Sequence, residues 1–264
     1  MAEAKYKNIN YKKIESGIAT LTINRKEKLN SMTTGTLWEL RQAVEEADAD
    51  KDIKIIILTG SGSQAFSAGF DIVNVPELSI AQSRQLHIHN AVFSKALMEI
   101  GKPTIAAVNG IALGAGLEIS LLCDLTVAAE SATFGIPELS IGAYPGTIAP
   151  ALLWHLVGVK KAKEIILTGK HIDAHEAASL GLINEVVPNE KLMERALQLA
   201  TQMMDMAPLP MTIFKAKMNC MLRILLEEEI SRFVEVQTLV FDTLDFREGL
   251  NALREKRKPI FHGH

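Results

Sequence analysis

Apolar and polar positions alternate in blocks along the chain, and the blocks predict short strands interleaved with helices. Ile18-Ala-Thr-Leu-Thr-Ile23 sets apolar residues against threonines, the pattern of a strand. Asn24 to Asn30 is polar and reads as loop. Thr33 to Ala49 reads as a helix, because Leu37, Leu40, Val44 and Ala47 recur at three-to-four spacing and Thr33 or Thr34 is a natural cap. Ile53 to Leu58 is an apolar run broken only by Lys54, which fits a strand buried on both faces. A helix or helix pair is predicted over Ser79–Glu99, closed before Pro103. Thr104–Val108 is a second buried strand. The turn Leu113-Gly-Ala-Gly116 follows, then a helix from Leu117 to about Cys123 and a strand over Leu125–Ala129.

From Lys160 the pattern is helical almost throughout, interrupted at Gly181, Pro188, Pro208 and Pro210. Leu222 to Leu253 is a long amphipathic stretch. The prediction is an α/β core followed by a helical extension. Helices left over after a core is complete often pack on another subunit, so an oligomer is expected. No fixed-period sequence repeat is visible.

The chain has 264 residues, room for one to two domains at about 150 residues each. Lys and Arg number 28 against 31 Asp and Glu, so the net charge of -3 gives no general attraction to nucleic acid or anionic lipid. Two cysteines, Cys123 and Cys220, exclude a disulfide scaffold and a four-cysteine zinc site. Cys123, inside Leu121-Leu122-Cys123, reads as a buried, inert thiol. The longest apolar stretch, Ile111 to Ala129, carries Glu118 and Asp124 and does not read as a membrane span. The first ten residues lack an apolar core and an arginine and include Glu3, which points to a cytoplasmic chain without a leader.

Three segments carry candidate chemistry. Asn109 to Glu118 is a strand end, a glycine-rich turn and a helix start. A dinucleotide fingerprint wants a third glycine where Ile119 stands, and Glu118 would repel a pyrophosphate. Unpaired N–H groups at a helix start can instead stabilise a developing oxyanion, with Glu118 one turn further on. Phe66 to Ile72 is a turn of small residues after a buried strand and offers a second N–H at Phe70. Phe134 to Gly142 sets Glu138 among apolar residues. Enclosure would raise its pKa, and two carboxylates facing one small molecule divide into a proton donor and a base.

The stretch IAAVNGIALGAGLEISLLCDLTVAAESATFGIPELSIGAYPG resembles the crotonase (enoyl-CoA hydratase/isomerase) superfamily. FSAGFDI upstream and EGLNALREKRKPIF near the C-terminus extend the resemblance over essentially the whole chain. It implies an α/β fold: a spiral of ββα units (1–200) followed by a C-terminal helical trimerisation region (201–264). It also implies a homotrimer or a dimer of trimers. The implied substrate is an acyl-CoA thioester, with no metal and no cofactor besides the CoA of the substrate. The thioester oxygen would be held by the amides of Phe70 and Ala115. Ala68, Phe70, Asp71, Ile72, Gly114 and Gly146 would contact substrate or CoA. Glu118 would be the base toward water, and Glu138 would deliver a proton to the α-carbon.

Retention of both glutamates favours hydration of a 2-enoyl-CoA over a Δ3,Δ2-enoyl-CoA isomerase. An RNA-binding relative of the hydratases is disfavoured by the net charge and by 5% aromatic content. After Tyr144-Pro145-Gly146 the chain reads Thr147-Ile-Ala-Pro-Ala151, where many fatty-acid hydratases carry glycines, threonine and a Gln-Arg pair. A branched or cyclic acyl group is the expectation this raises. Ala115 stands where glycine is usual, which is tolerable if its φ is negative. His87 and His89, two apart on a helix, share no face and form no metal site. Met203, Met204 and Met206 read as helix packing. Arg254, Lys256, Arg257 and Lys258 form a basic cluster that is either plain solvated surface or a contact for the phosphates of CoA.

Overall fold

The computed structural model describes residues 5–14, 17–72 and 79–264, so the argument from Glu3 lies outside the described residues. Strands β1 (Ile9–Ile14) and β2 (Ile18–Ile23) pair antiparallel, Ile9 opposite Ile23. Helix α1 (Thr34–Ala49) is capped by Thr33, whose hydroxyl accepts from Thr36 N at 3.2 Å. Three further strand–strand–helix turns follow. They are β3 (Ile55–Gly60), β4 (Ala65–Ser67), α2 (Ile80–Glu99); β5 (Thr104–Val108), β6 (Ile111–Leu113), α3 (Ala115–Leu122); and β7 (Leu125–Ala129), β8 (Thr133–Gly135), α4 (Ala149–Thr168). Then come β9 (Ile172–Asp173), α5 (Ala174–Ser179), β10 (Glu185–Val187), α6 (Leu192–Met204), α7 (Pro208–Phe241) and α8 (Leu244–Glu255).

The first turn gives both its strands to one sheet, and each of the three later ββα turns adds one strand to each of two sheets. The larger runs β1-β2-β3-β5-β7-β10 and the smaller β4-β6-β8-β9, which makes the chain a spiral. Apart from β1 at one edge, the larger sheet is parallel. Its inner strands β3, β5 and β7 are buried on both faces, which is why they read as near-continuous apolar runs. Leu21, Ile56, Leu58, Ala106 and Ala128 face the main core; Ile18, Ile55, Ile57, Ile105 and Val127 face α6 through Ala196 and Ala200.

Two expectations shift. The interruption expected at Pro208 and Pro210 falls at 205–207, just before them: both prolines lie in the first turn of α7, where a missing N–H leaves no bond unmade. Helical structure also begins before Lys160, since α4 starts at Ala149 and is broken internally at Gly158, with φ +77. The division expected at residue 200 falls inside α6.

The C-terminal helices lie on their own chain. α7 packs along α2 and is pinned by Lys215, whose ammonium donates to Asp124 Oδ2 and to Lys102 O, each at 2.7 Å. α8 seats on the turn after Pro137 so closely that a Cβ at Gly249 would lie 2.2 Å from Ile141 O. No helix among the described residues is long and apolar enough to cross a membrane.

Candidate active site

The spiral explains why distant segments meet. β4, β6 and β8 are parallel neighbours, so the residues that follow them emerge side by side. Phe70 follows β4, Ala115 and Glu118 follow β6, and Glu138 follows β8. Together they line one cavity of about 120 Å³.

The turn carrying Phe70 is held from beneath. Ser67 Oγ donates to Asn30 O at 2.9 Å and accepts from Gly69 N at 3.2 Å. Buried Asn30 donates in turn to Ser61 O and Ala65 O. Met32 N donates to Gly69 O and Asp71 N donates to Met32 O. This short parallel bridge uses the groups on either side of Phe70, so the Phe70 N–H points to the opposite edge. Gly69, at φ +89, lies against the start of α3: a Cβ there would be 3.5 Å from Ala115 N. Ala115 is the first residue of α3, and its N–H has no partner within the helix. Its φ is not among the positive values, as the alanine requires.

Glu118 is 2% exposed. Its Oε1 accepts from Ile148 N at 2.7 Å and Ala149 N at 2.9 Å, where α4 begins. Burial pushes its pKa up to about 7, with those amides acting in the opposite direction. Glu138 opens a 3₁₀ turn (Glu138–Ile141) backed by α8. Its Oε2 is buried without a hydrogen-bond partner among the described residues. Burial, then the nearby Glu118 carboxylate, push the Glu138 pKa up to about 8. Two glycines make room for these acids. A Cβ at Gly146, φ +44, would sit 2.2 Å from Glu118 Oε1, and one at Gly114, φ +52, would sit 2.3 Å from Glu138 Oε1.

Ala68, Phe70, Ile72, Gly114, Ala115, Glu118, Glu138 and Gly146 thus share the cavity wall. Asp71 is directed elsewhere: its carboxylate pairs with Arg25 Nη2 at 2.8 Å and is nearly buried. Arg25 also donates to Ser31 O, which ties the Phe70 turn to the loop before α1. Cys123 is buried and its thiol is pushed up to about 12, as expected of an inert core residue. In the basic cluster, Arg257 is engaged by Glu248 and Glu255.

Sequence reasoning missed the opposite wall. His87 and Asn90 from α2, with Phe233, Gln237 and Phe241 from α7, complete the cavity. A signal was present: Ser83, His87, Asn90 and Ser94 form a polar stripe at helical spacing, and all four are buried.

The sequence pattern of the enoyl-CoA hydratase/isomerase family matches residues 13–264, so the chain belongs to that family, within the crotonase superfamily. It is an enzyme of the enoyl-CoA hydratase type. A crotonyl-CoA hydratase of Syntrophomonas wolfei is 36% identical over 97% of this chain and 98% of its own. A 2,3-dehydroadipyl-CoA hydratase of Escherichia coli is 35% identical over 93% and 95%. The crystal structure of an enoyl-CoA hydratase from Mycobacterium avium subsp. paratuberculosis superposes with a TM-score of 0.88 over 97% of this chain and 99% of that one, at 25% identity.

Proposed function

We infer that the enzyme adds water across the 2,3-double bond of an enoyl-CoA, or removes it in reverse, using Glu118 and Glu138 together. The observation that carries this reading is the pair of buried carboxylates on one small cavity, Glu118 accepting two backbone amides and Glu138 carrying an oxygen without a partner among the described residues. Glu118 ionises first, because two backbone amides receive its charge. That charge keeps Glu138 protonated. The first is suited to a base and the second to an acid at neutral pH.

In the hydration direction the thioester oxygen accepts the Phe70 and Ala115 N–H groups. Glu118 takes a proton from water as its oxygen bonds to C3. The π electrons move toward the carbonyl, and the negative charge gathers on the oxygen facing the two amides. Glu138 then delivers its proton to C2. A proton passing from Glu118 back to Glu138, through solvent or product, restores the starting state. An isomerase needs one carboxylate to shuttle a proton and gives no role to the second. Conversion of 2-enoyl-CoA to the 3-hydroxyacyl ester separates the two. Isomerisation of a 3-enoyl-CoA without any hydration would overturn the hydratase reading.

The assembly inferred is a trimer or a pair of trimers. α7 leaves Leu209, Ile213, Phe214, Met218, Met221 and Ile224 exposed, a face that a second copy would cover. Lys258 is offered as a contact for the phosphates of CoA. An unchanged KM for a CoA ester in Lys258→Ala would remove it from that role.

A further inference from the structure

We propose that the acyl end of the cavity selects a 2-enoyl group bearing a hydroxyl beyond the double bond, read by His87 and Asn90. This rests on the hydratase reading and refines it. Both side chains are buried, at 3% and 5% exposure, one turn apart on α2, and both line the cavity. Each spends one polar atom on the protein. His87 Nε2 lies 3.3 Å from Ser83 Oγ, and Asn90 Nδ2 donates to Thr147 Oγ1 at 2.6 Å. Each keeps a second atom without a partner among the described residues: His87 Nδ1 and Asn90 Oδ1. These atoms are not sealed in the core. The cavity is the space that both side chains line.

The pair narrows the ligand chemistry. Asn90 Oδ1 can only accept, so it calls for a donor. Burial lowers the His87 pKa to about 4, so the ring is neutral near pH 7. Its Nδ1 can donate when it carries the ring proton. A hydroxyl both donates and accepts and so meets both atoms. A plain alkyl chain meets neither. A carboxylate would enter a cavity that holds Glu118 and Glu138 and no Lys or Arg among its described lining. Gln237 is already spent on Tyr144 N and Tyr144 O, and Phe233 and Phe241 hold the His87 ring edge-on.

The test compares kcat/KM for 2-hexenoyl-CoA with its 4-, 5- and 6-hydroxy derivatives and with 2,3-dehydroadipyl-CoA. Crotonyl-CoA is the control for the chemistry. At least one hydroxy ester is expected to exceed hexenoyl-CoA by about tenfold, the effect of one well-made hydrogen bond. The carboxylated ester is expected to fall below hexenoyl-CoA. The preference should drop to within about threefold of unity in Asn90→Leu and in His87→Phe, and His87→Gln should restore part of it. The preference is a ratio within each variant, so a loss of folded protein does not move it. Wild-type enzyme that hydrates crotonyl-CoA but gains nothing from any hydroxyl, or favours the carboxylate, overturns this proposal and leaves the hydratase reading standing. Failure to hydrate every ester overturns both.

Discussion

Glu118→Gln is expected to make the protein more stable at alkaline pH while removing its activity. The folded chain raises the Glu118 pKa from 4.5 to about 7. An unfolded chain would ionise this group at its ordinary value, so the folded state binds the extra proton between those two values. Stability from this group is therefore full below pH 4.5 and is lost as pH rises through 7. At about 1.4 kcal/mol per tenfold change in proton affinity, the loss reaches about 3 kcal/mol. Glutamine keeps a carbonyl oxygen for Ile148 N and Ala149 N but carries no charge. Its amide N–H₂ group adds an offset that does not vary with pH.

The assay is denaturant unfolding of both proteins at one concentration, repeated from pH 5 to 8.5. The variant should gain on the wild type by about 2–3 kcal/mol across that range, with the rise centred between pH 5 and 7. A flat difference, or a wild type that gains with pH, would refute the reasoning that burial strains the Glu118 charge. Glu138→Gln should show the same sign displaced upward, since its pKa is raised to about 8.

Three other outcomes follow from the packing. Gly146→Ala drives a Cβ to 2.2 Å from Glu118 Oε1 and holds alanine at φ +44, so kcat should fall at least about 100-fold; a wild-type kcat would mean that Glu118 is not placed by this turn. Arg25→Ala removes the guanidinium from Asp71 beneath the Phe70 turn and should lower kcat about tenfold with little change in KM; an effect on KM alone would show that the pair positions substrate instead of the amide. Lys215→Met takes away the ammonium that joins α7 to Asp124 and Lys102 O, and should cost about 2 kcal/mol in unfolding measurements; an unchanged midpoint would show that α7 is held by its apolar contacts with α2.

Much of the core was legible because its strands are buried on both faces. Ile18–Ile23, Thr104–Val108 and Leu125–Ala129 stand where their apolar runs placed them. The smaller sheet was not legible from the pattern. β4, β6 and β8 have three residues each, too few for alternation to register. The ββα repetition was hidden too, because each turn is built from different residues. Glycine-rich turns and apolar flanks single out Glu118, Glu138 and the Phe70 amide as candidates, and the Ala115 amide comes from the family resemblance. Their convergence could not be read from the chain, since it depends on parallel pairing between strands more than 20 residues apart. The far wall escapes the sequence for a different reason: His87 draws comparison with His89, two residues away, while it bonds Ser83 and shares its helical face with Asn90. The pattern of α7 suggests a surface for another subunit and gives no sign that its Phe233, Gln237 and Phe241 also line the cavity of their own chain.

The most direct measurement is the rate of crotonyl-CoA hydration by wild type, Glu118→Gln and Glu138→Gln, with oxygen-18 water to mark the product. The two-carboxylate site predicts label at C3 with wild type and a fall of at least about 100-fold for each variant. Wild-type rates in either variant would contradict the paired roles of Glu118 and Glu138.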